Sequence, residues 1–363
     1  MLVLLLGFVF SAAVTLLVFR CAGAVFRHLG DADMSGPQRF HSRPVPRIGG
    51  IGIVIGLTLA LGTWWAMRGY SVVIGLKLML CAAPAFLAGL AEDFTQTQSP
   101  RRRLLFTALS AVLAAFWLGA VIERTDIPGL DWLVSFGPLA ILVTVFAVSG
   151  VANAINIIDG FNGLASMCVM MMLGAVAYVA FQAQDPLIAS YALAGIGAVM
   201  GFFIWNYPAG LIFLGDGGAY FLGFYVAELS ILLLARNAEV SPLFPLMMCI
   251  YPIFETVFSM YRRKFVRGRP VGMPDGVHLH SLVYRRLMRW AVGSKNAKAL
   301  TQRNSATAPY LWLLCMMSVV PAVIFWDNSF VLGILVLVFA AVYVFVYTRI
   351  VRFKVPNWLV VRR

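Results

Sequence analysis

Charged residues are scarce in this chain. Asp, Glu, Lys and Arg make up 12% of its 363 residues, whereas 61% of them are hydrophobic. Soluble domains contain nearer about 45–50% apolar residues, so this composition excludes an ordinary soluble fold. It predicts an all-α, polytopic integral membrane protein whose residues 1–363 form one domain.

Cysteine is also sparse, and its spacing gives no pair. The five cysteines are widely separated, and none belongs to a CxxC motif. All of them lie in or beside apolar runs, where a free cysteine packs as a small hydrophobic side chain. Neither a disulfide framework nor a cysteine metal site is therefore expected.

Hydrophobic runs long enough to cross a bilayer occur about eleven times, since one crossing needs about 20 mostly apolar residues. The first run lacks a basic flank and an obvious cleavage site, so it is interpreted as a span and not as a signal peptide. The predicted spans are 2–20, 48–66, 71–91, 104–122, 132–152, 163–182, 187–205, 218–235, 241–260, 308–326 and 329–348.

Basic residues are concentrated on one side of this predicted topology. Of the 28 Lys and Arg residues, all but Arg68, Lys77, Arg124 and Arg236 fall on the side of the odd-numbered connections and the C-terminal tail. The positive-inside rule makes that side cytoplasmic, with the N-terminus outside and the C-terminus inside. The net charge of +13 then indicates a basic face against anionic headgroups or a nucleotide, and not nucleic-acid binding.

Acids, amides and histidines occur in four stretches of the same predicted side. Two glycine-containing breaks between apolar runs cover 153–164 and 213–218, and Glu92-Asp93 ends the third run. The fourth stretch is the predicted cytoplasmic loop 261–307, which carries two histidines. Because acids at membrane depth usually have a function, we expect one site for a hard cation and a phosphorylated substrate.

Each motif also has a purely structural interpretation. Glu92-Asp93 can terminate a helix, Asp216 between glycines is typical of a turn, and the basic run 262–269 is explained by topology alone. His278 and His280 are two residues apart, a poor spacing for a helical metal pair. The order and the shared side of the motifs favour a functional site over four unrelated turns.

Taken in order, these motifs resemble those of the polyprenyl-phosphate N-acetylhexosamine-1-phosphate transferase family, which includes the phospho-N-acetylmuramoyl-pentapeptide transferase. Residues 153–164 are similar to its NxxNxxDGxNGL signature, and Asn206 with 213–216 is similar to its N…FLGD motif. Glu92-Asp93 stands in the place of the family's acidic pair. The first and last cytoplasmic motifs of the family resemble residues 39–50 and 274–280.

The chain departs from this family pattern at a few positions. Gln96 stands where a third acid is common, Ser281 where a third histidine is common, and Arg39 where a lysine is usual. Asn162 stands where the peptidoglycan enzyme normally has Asp. The resemblance therefore favours the branch that initiates O-antigen, common-antigen, teichoic-type or capsule glycans.

This resemblance implies transfer of a sugar 1-phosphate from a UDP-N-acetylamino sugar, by default N-acetylglucosamine, to undecaprenyl phosphate, with release of UMP. It implies a bacterial inner membrane enzyme with its active site on the cytoplasmic face. Relatives are often dimers, so a homodimer stays open.

The implied cofactor is Mg²⁺, with Mn²⁺ as an alternative, held by Asp216 and Asn156. Asp93, with Glu92, is expected to orient or deprotonate the lipid phosphate, and the loop 261–307 to recognise the sugar. The residues expected to bind substrates are Asn153, Asp159, Asn162, Asn206, His278, His280, Arg43, Arg47, Arg101, Arg102 and Arg103.

Two alternatives stay open at this point. One is the peptidoglycan-precursor transferase of the same superfamily. The other is a lipid-linked glycan carrier or flippase, which would need polar residues through the membrane interior and often an internal repeat. The only charges well inside apolar runs are Lys77, Glu228 and Glu255, and no repeat is visible, so a transferase is favoured.

Overall fold

The computed structural model describes residues 1–25, 45–68, 73–266, 268, 277–288 and 297–352. Within these ranges every regular element is helical, as the composition predicts. Short π-helical turns at Arg262–Val266 and Val283–Met288 extend two of the helices. The α-helices are α1 (Leu2–Val25), α2 (Gly49–Arg68), α3 (Val73–Thr95), α4 (Pro100–Leu118), α5 (Leu130–Val134), α6 (Gly137–Ile158), α7 (Leu164–Gln182), α8 (Pro186–Asn206), α9 (Gly215–Arg236), α10 (Leu243–Met248), α11 (Ile250–Tyr261), α12 (Leu279–Leu282), α13 (Ala297–Ile324) and α14 (Ser329–Val351).

Nine helices of the described ranges are long and apolar enough to cross a membrane. They correspond to nine of the eleven predicted spans, and the other two differ for physical reasons. Most of the run 104–122 lies in α4, which ends at Leu118 and carries three consecutive arginines in its first turn. The run 241–260 forms the short helices α10 and α11, because Pro252 cannot donate a backbone hydrogen bond to Met248.

Several predicted connections are partly helical. α6 continues to Ile158, so Asn153 and Asn156 lie on its last two turns and not in a loop. Their separation of three residues places them on one helix face. Likewise, α9 begins at Gly215, and the predicted loop 261–307 contains α12, two π-helical turns and the start of α13.

Helix α9 forms the centre of the bundle. In the apolar stretch of α9, 89% of the residues are buried, whereas the corresponding share is 22% in α1 and 17% in α14. Glycines allow its neighbours to approach closely, since a Cβ at Gly223 would lie 2.5 Å from Ala152 Cα and a Cβ at Gly89 would lie 2.5 Å from Gly217 N. The ends of α3 and α6 are thereby brought to the start of α9, which we call the site end of the bundle.

The opposite end of the bundle, here called the far end, has a polar network of its own. Asp185, only 4% exposed, accepts hydrogen bonds from Arg236 Nε at 2.5 Å and Nη2 at 3.2 Å. Arg124 Nη2 donates to the carbonyls of Asn237 at 3.2 Å and Val240 at 2.5 Å. Burial opposes the ionisation of Asp185, but the hydrogen bonds from Arg236 prevail and lower its pKa.

We expect Asp185→Asn to reduce the free energy of unfolding by about 1–3 kcal/mol, because it removes the charge that Arg236 pairs with. Since the pKa of Asp185 is lowered on folding, its contribution is present at neutral pH and is lost as the pH falls through the folded value. Thermal unfolding of detergent-purified protein at several pH values measures both effects. Asp327→Asn, an exposed acid at the same end, is the matched control. Equal melting temperatures for the two variants would contradict this role of Asp185.

Candidate active site

The start of α9 is joined to the start of α2 through backbone hydrogen bonds. Phe213 N donates to Pro46 O at 2.8 Å, and Gly49 N donates to Phe213 O at 2.9 Å. Gly215 follows with a φ of +78°, in the left-handed region. A Cβ there would lie 2.1 Å from Arg47 O and 2.7 Å from Asp93 Oδ2, so both the backbone and the available space require glycine.

Asp93 caps the N-terminus of α9 from the neighbouring helix α3. Its Oδ1 accepts the backbone N–H of Asp216 at 2.8 Å, and its Oδ2 accepts that of Gly217 at 2.9 Å. The first N–H groups of a helix have no partner within the helix, and their partial positive charge favours a carboxylate. The predicted catalytic acid is thus also the group that holds the backbone of Asp216.

The two predicted metal ligands are adjacent. Asn156 Nδ2 donates to Asp216 Oδ1 at 3.0 Å, and Asp216 Oδ2 forms an ion pair with Arg103 Nη1. The guanidinium of Arg103 also lies over the ring of Tyr220, 5.9 Å from its centroid. Tyr220 Oη in turn donates to Asn153 Oδ1 at 3.4 Å. Four positions predicted for the site are therefore linked around the first turn of α9.

Asn206 is buried and ties two polar segments of the chain together. Its Oδ1 accepts the N–H of Gly163 at 2.6 Å, and its Nδ2 donates to Ile212 O at 2.8 Å. Neither polar atom of this side chain is directed to open space, so its contacts here shape the turn after α6 and the segment before α9. Its predicted substrate contact stays a prediction.

Asn162, only 1% exposed, links the turn after α6 to α13. Its backbone N–H donates to Asn304 Oδ1 at 2.9 Å, and its Nδ2 donates to Ser305 Oγ at 3.1 Å. Sequence reasoning missed Asn304 and Ser305, because they carry no motif and their partner lies more than 140 positions away.

His278 and His280 are both buried, and an acid of α11 holds the first of them. His278 Nδ1 lies 3.0 Å from Glu255 Oε1, which also accepts the N–H of Leu279 at 2.9 Å. The two imidazoles stack with centroids 5.1 Å apart, and His280 meets the ring of Phe161 edge-on at 5.5 Å. Residues 278–280, here called the histidine segment, therefore pack on the turn after α6 and are held in place by hydrogen bonds to Glu255.

Asp159 lies in that turn and is partly buried. Burial raises its pKa to about 7, and the positive charge of Arg47 opposes this rise. The ionisation of this carboxyl group therefore falls close to neutral pH.

The remaining predicted residues lie at the edge of this cluster. Glu92 Oε2 accepts the N–H of Gln98 at 2.6 Å and so closes the turn between α3 and α4. Arg101 and Arg102 are exposed at the start of α4, and Arg47 is exposed before α2. Arg43 lies outside the described residues, as does the Pro-Asp pair at 274–275.

Among the described residues, no cluster of three or more His, Cys, Asp or Glu side chains is arranged to hold a metal ion. Mg²⁺ does not require one, because it usually takes one or two carboxylates and completes its shell with substrate phosphates and water. Asp216 could supply one such carboxylate, and it already lies against a positive charge, that of Arg103. With the amide of Asn156 beside it, the donor set fits Mg²⁺.

We expect Gly215→Ala to lower both the melting temperature and any activity of this site, because its Cβ would overlap the carbonyl of Arg47. The matched control is Gly174→Ala in α7, where a Cβ would meet nothing within 4 Å. That change should leave the melting temperature unchanged or raise it, since alanine favours a helix by about 0.5–1 kcal/mol. Similar melting curves for the two variants would show that the close approach at residue 215 is unimportant.

Comparison with known proteins supports the interpretation of these motifs as those of a sugar-1-phosphate transferase family. The model of glycosyl transferase family 4 matches residues 75–234, the range that contains Asp93, Asn156 and Asp216. A probable undecaprenyl-phosphate N-acetylglucosaminyl 1-phosphate transferase of Bacillus subtilis (strain 168) is 27% identical over 341 residues, which cover 92% of this chain and 89% of that protein.

Two other relatives extend the comparison. An undecaprenyl-phosphate alpha-N-acetylglucosaminyl 1-phosphate transferase of Thermotoga maritima is 29% identical over 262 residues, covering 71% of this chain and 74% of that protein. The phospho-N-acetylmuramoyl-pentapeptide-transferase of Lactococcus lactis subsp. cremoris is 30% identical over 176 residues, covering 48% and 50%. Motifs, helical architecture and relatives agree: residues 75–234 belong to glycosyl transferase family 4, and most of the chain is similar to undecaprenyl-phosphate sugar-1-phosphate transferases.

Proposed function

We propose that this protein transfers an N-acetylamino sugar 1-phosphate from a UDP-sugar to undecaprenyl phosphate, releasing UMP and initiating a cell-surface glycan. The observation that carries this proposal is the convergence of Asp93, Asn156 and Asp216 at the start of α9. The names of the Bacillus and Thermotoga relatives support undecaprenyl phosphate as acceptor and N-acetylglucosamine as the default sugar.

The reaction is an exchange at the β-phosphorus of the UDP-sugar. An oxygen of the lipid phosphate forms the new bond to this phosphorus, and the bond to the UMP oxygen breaks. The bond between the sugar and its phosphate is untouched, so the anomeric configuration is retained. Both reactants are anions, and catalysis of such transfers rests mainly on positioning and on neutralising charge.

We propose that Asp216, with Asn156, holds the Mg²⁺ ion, for which Mn²⁺ is the alternative. Bound there, the ion would neutralise charge on the phosphates. The chain's own contribution is to hold the carboxylate of Asp216 in one position, through Asp93 and the close packing at Gly215. Exposed arginines around the site, including Arg47, Arg101 and Arg102, supply further positive charge for phosphate groups.

For Asp93 we favour an orienting role over that of a strong base. A phosphate monoester has a second pKa near 6, so the lipid phosphate is largely dianionic at neutral pH and needs little deprotonation. Both oxygens of Asp93 accept backbone N–H groups of α9. A carboxylate held in this way positions the helix that carries Asp216.

We propose that the bundle crosses the bacterial inner membrane eleven times, with the site end in the cytoplasm, the N-terminus outside and the C-terminus inside. Contacts of α4 support this count, because Arg103 at its start lies at the site end and Arg124 just after its end lies at the far end. Residues 241–260 run between the same two ends, since Ser241 N bonds Trp326 O and Glu255 bonds His278.

The function is tested by UMP release from detergent-purified protein supplied with undecaprenyl phosphate, Mg²⁺ and a panel of UDP-sugars. We expect UDP-N-acetylglucosamine to be used, and UDP-N-acetylmuramoyl pentapeptide to be refused. Use of the pentapeptide would favour the peptidoglycan enzyme, and no UMP release with any donor would favour a carrier.

In the same assay we expect Asp216→Asn to lose turnover by on the order of 100-fold or more, because it removes about 3 kcal/mol or more of charge stabilisation. Loss of the pairing with Arg103 should lower the melting temperature only modestly, since the backbone N–H of residue 216 still bonds Asp93. Asp327→Asn, an exposed acid at the far end, is the control for loss of a carboxylate. Turnover near wild type in Asp216→Asn would remove this residue from the site.

The topology is tested with an impermeant maleimide and single cysteines on a Cys21→Ser background, since the other native cysteines are buried. We expect Glu239→Cys, at the far end, to be labelled on intact cells, and Thr97→Cys, at the site end, only in inverted membrane vesicles. The opposite pattern would reverse the proposed orientation.

A further inference from the structure

We propose that Arg103 acts as a resident counter-ion that a divalent cation must displace from Asp216. This inference rests on the proposed function, because it takes Asp216 as the metal ligand. Arg101 and Arg102 carry the same charge as Arg103. The role assigned to Arg103 depends on its ion pair with Asp216. Arg103 is thereby a positioning residue that acts on the metal site.

Each carboxylate oxygen of Asp216 already has one partner. Oδ2 pairs with the guanidinium of Arg103, and Oδ1 accepts a hydrogen bond from Asn156 Nδ2. An amide can turn its oxygen toward a cation and become a ligand, so Asn156 accommodates a metal by rotating. A guanidinium has donors only, so Arg103 cannot become a ligand, and its positive charge competes with a metal ion for the same carboxylate.

The carboxylate of Asp216 is fixed, and the guanidinium is the group that can move. The backbone of residue 216 is held by Asp93, and Gly215 before it fits closely against Arg47. The charged head of Arg103, in contrast, lies at the end of a long side chain from the first turn of α4. A second cation at Asp216 would repel this guanidinium, so metal binding and the ion pair weaken each other.

Partial burial makes this competition strong enough to measure. The side chains of Arg103 and Asp216 are 14% and 27% exposed, so water screens their attraction less than that of a surface pair. A carboxylate in such a place requires a cation nearby. Arg103 supplies this charge in the metal-free protein, and a bound metal ion would replace it.

The displaced guanidinium stays close to the reaction. Tyr220 already lies under it, with 5.9 Å from the guanidinium carbon to the ring centroid, and it offers a surface along which the head can shift. A guanidinium next to a metal-bound phosphate is a two-pronged donor for phosphate oxygens. Binding of the metal and of an anionic nucleotide should therefore strengthen each other through Arg103.

The test measures Mn²⁺ affinity of the substrate-free, purified protein by electron paramagnetic resonance, with and without UMP. We expect Arg103→Gln to bind Mn²⁺ about tenfold more tightly than wild type without UMP, because the competing cation is gone. UMP should raise Mn²⁺ affinity in wild type by a similar factor and do so much less in Arg103→Gln. Arg103→Lys, which keeps a competing charge, should stay close to wild type without UMP.

Two further variants make the outcome decisive. Arg102→Gln removes an exposed charge next to Arg103, and its Mn²⁺ affinity should stay near wild type because exposed charges are screened. Asp216→Asn should abolish the site. Unchanged or weaker Mn²⁺ binding in Arg103→Gln, or an equal rise in Arg102→Gln, would overturn the proposal.

These outcomes are separable from failure of the proposed function. No UMP release from any UDP-sugar would reject the transferase and leave the exchange between Arg103 and Mn²⁺ to stand on the binding data. Wild-type Mn²⁺ binding in Asp216→Asn would reject both the metal assignment and the exchange.

Discussion

The hydrogen bonds from the start of α9 to Asp93 are the interaction on which the rest of the site depends. A helix that begins inside a membrane protein has backbone N–H groups that neither its own carbonyls nor water can satisfy. Here a carboxylate from α3 accepts two of them. This contact allows α9 to start among other helices, and it places Asp216 on a helix turn whose position is set by α3.

Around that turn, polar side chains mainly hold other parts of the chain. Asn206 bonds the backbone of two segments, Asn162 bonds α13, and Glu255 bonds the histidine segment. Each of these groups is buried, and an unpaired polar group in such a place would be costly. The candidate site is therefore a small number of polar side chains around the start of α9, held within a larger frame of structural hydrogen bonds.

Much of this arrangement was predictable from local patterns. Nine of the eleven spans predicted from hydropathy match helices of the described ranges. The family motifs also predict that Asn156 and Asp216 lie together, and the two side chains are hydrogen-bonded. What escaped prediction depends on partners distant in sequence. Glu255 stands out as a charge in an apolar run, but nothing local identifies His278 as its partner. The bond from Asp93 to Asp216 spans 123 positions.

Boundaries failed where tertiary contacts override a local signal. The sequence predicts that Asn153 and Asn156 begin a loop, because asparagine favours turns. In the structure α6 continues past both residues to Ile158. Their side chains find partners on α9, in Tyr220 and Asp216, which compensate for the low helix propensity of asparagine. At 241–260 the opposite happened, because a proline interrupted a run that is apolar enough to be continuous.

The burial of α9 has a consequence for how this protein relates to its bilayer. Protein, and not lipid, forms the surroundings of this helix along nearly its whole length, while α1 and α14 expose most of their surface. Changes in acyl-chain length or fluidity therefore act on the outer helices first and reach Asp216 only through packed side chains. A lipid environment is therefore felt directly by the outer helices and by α9 only through them.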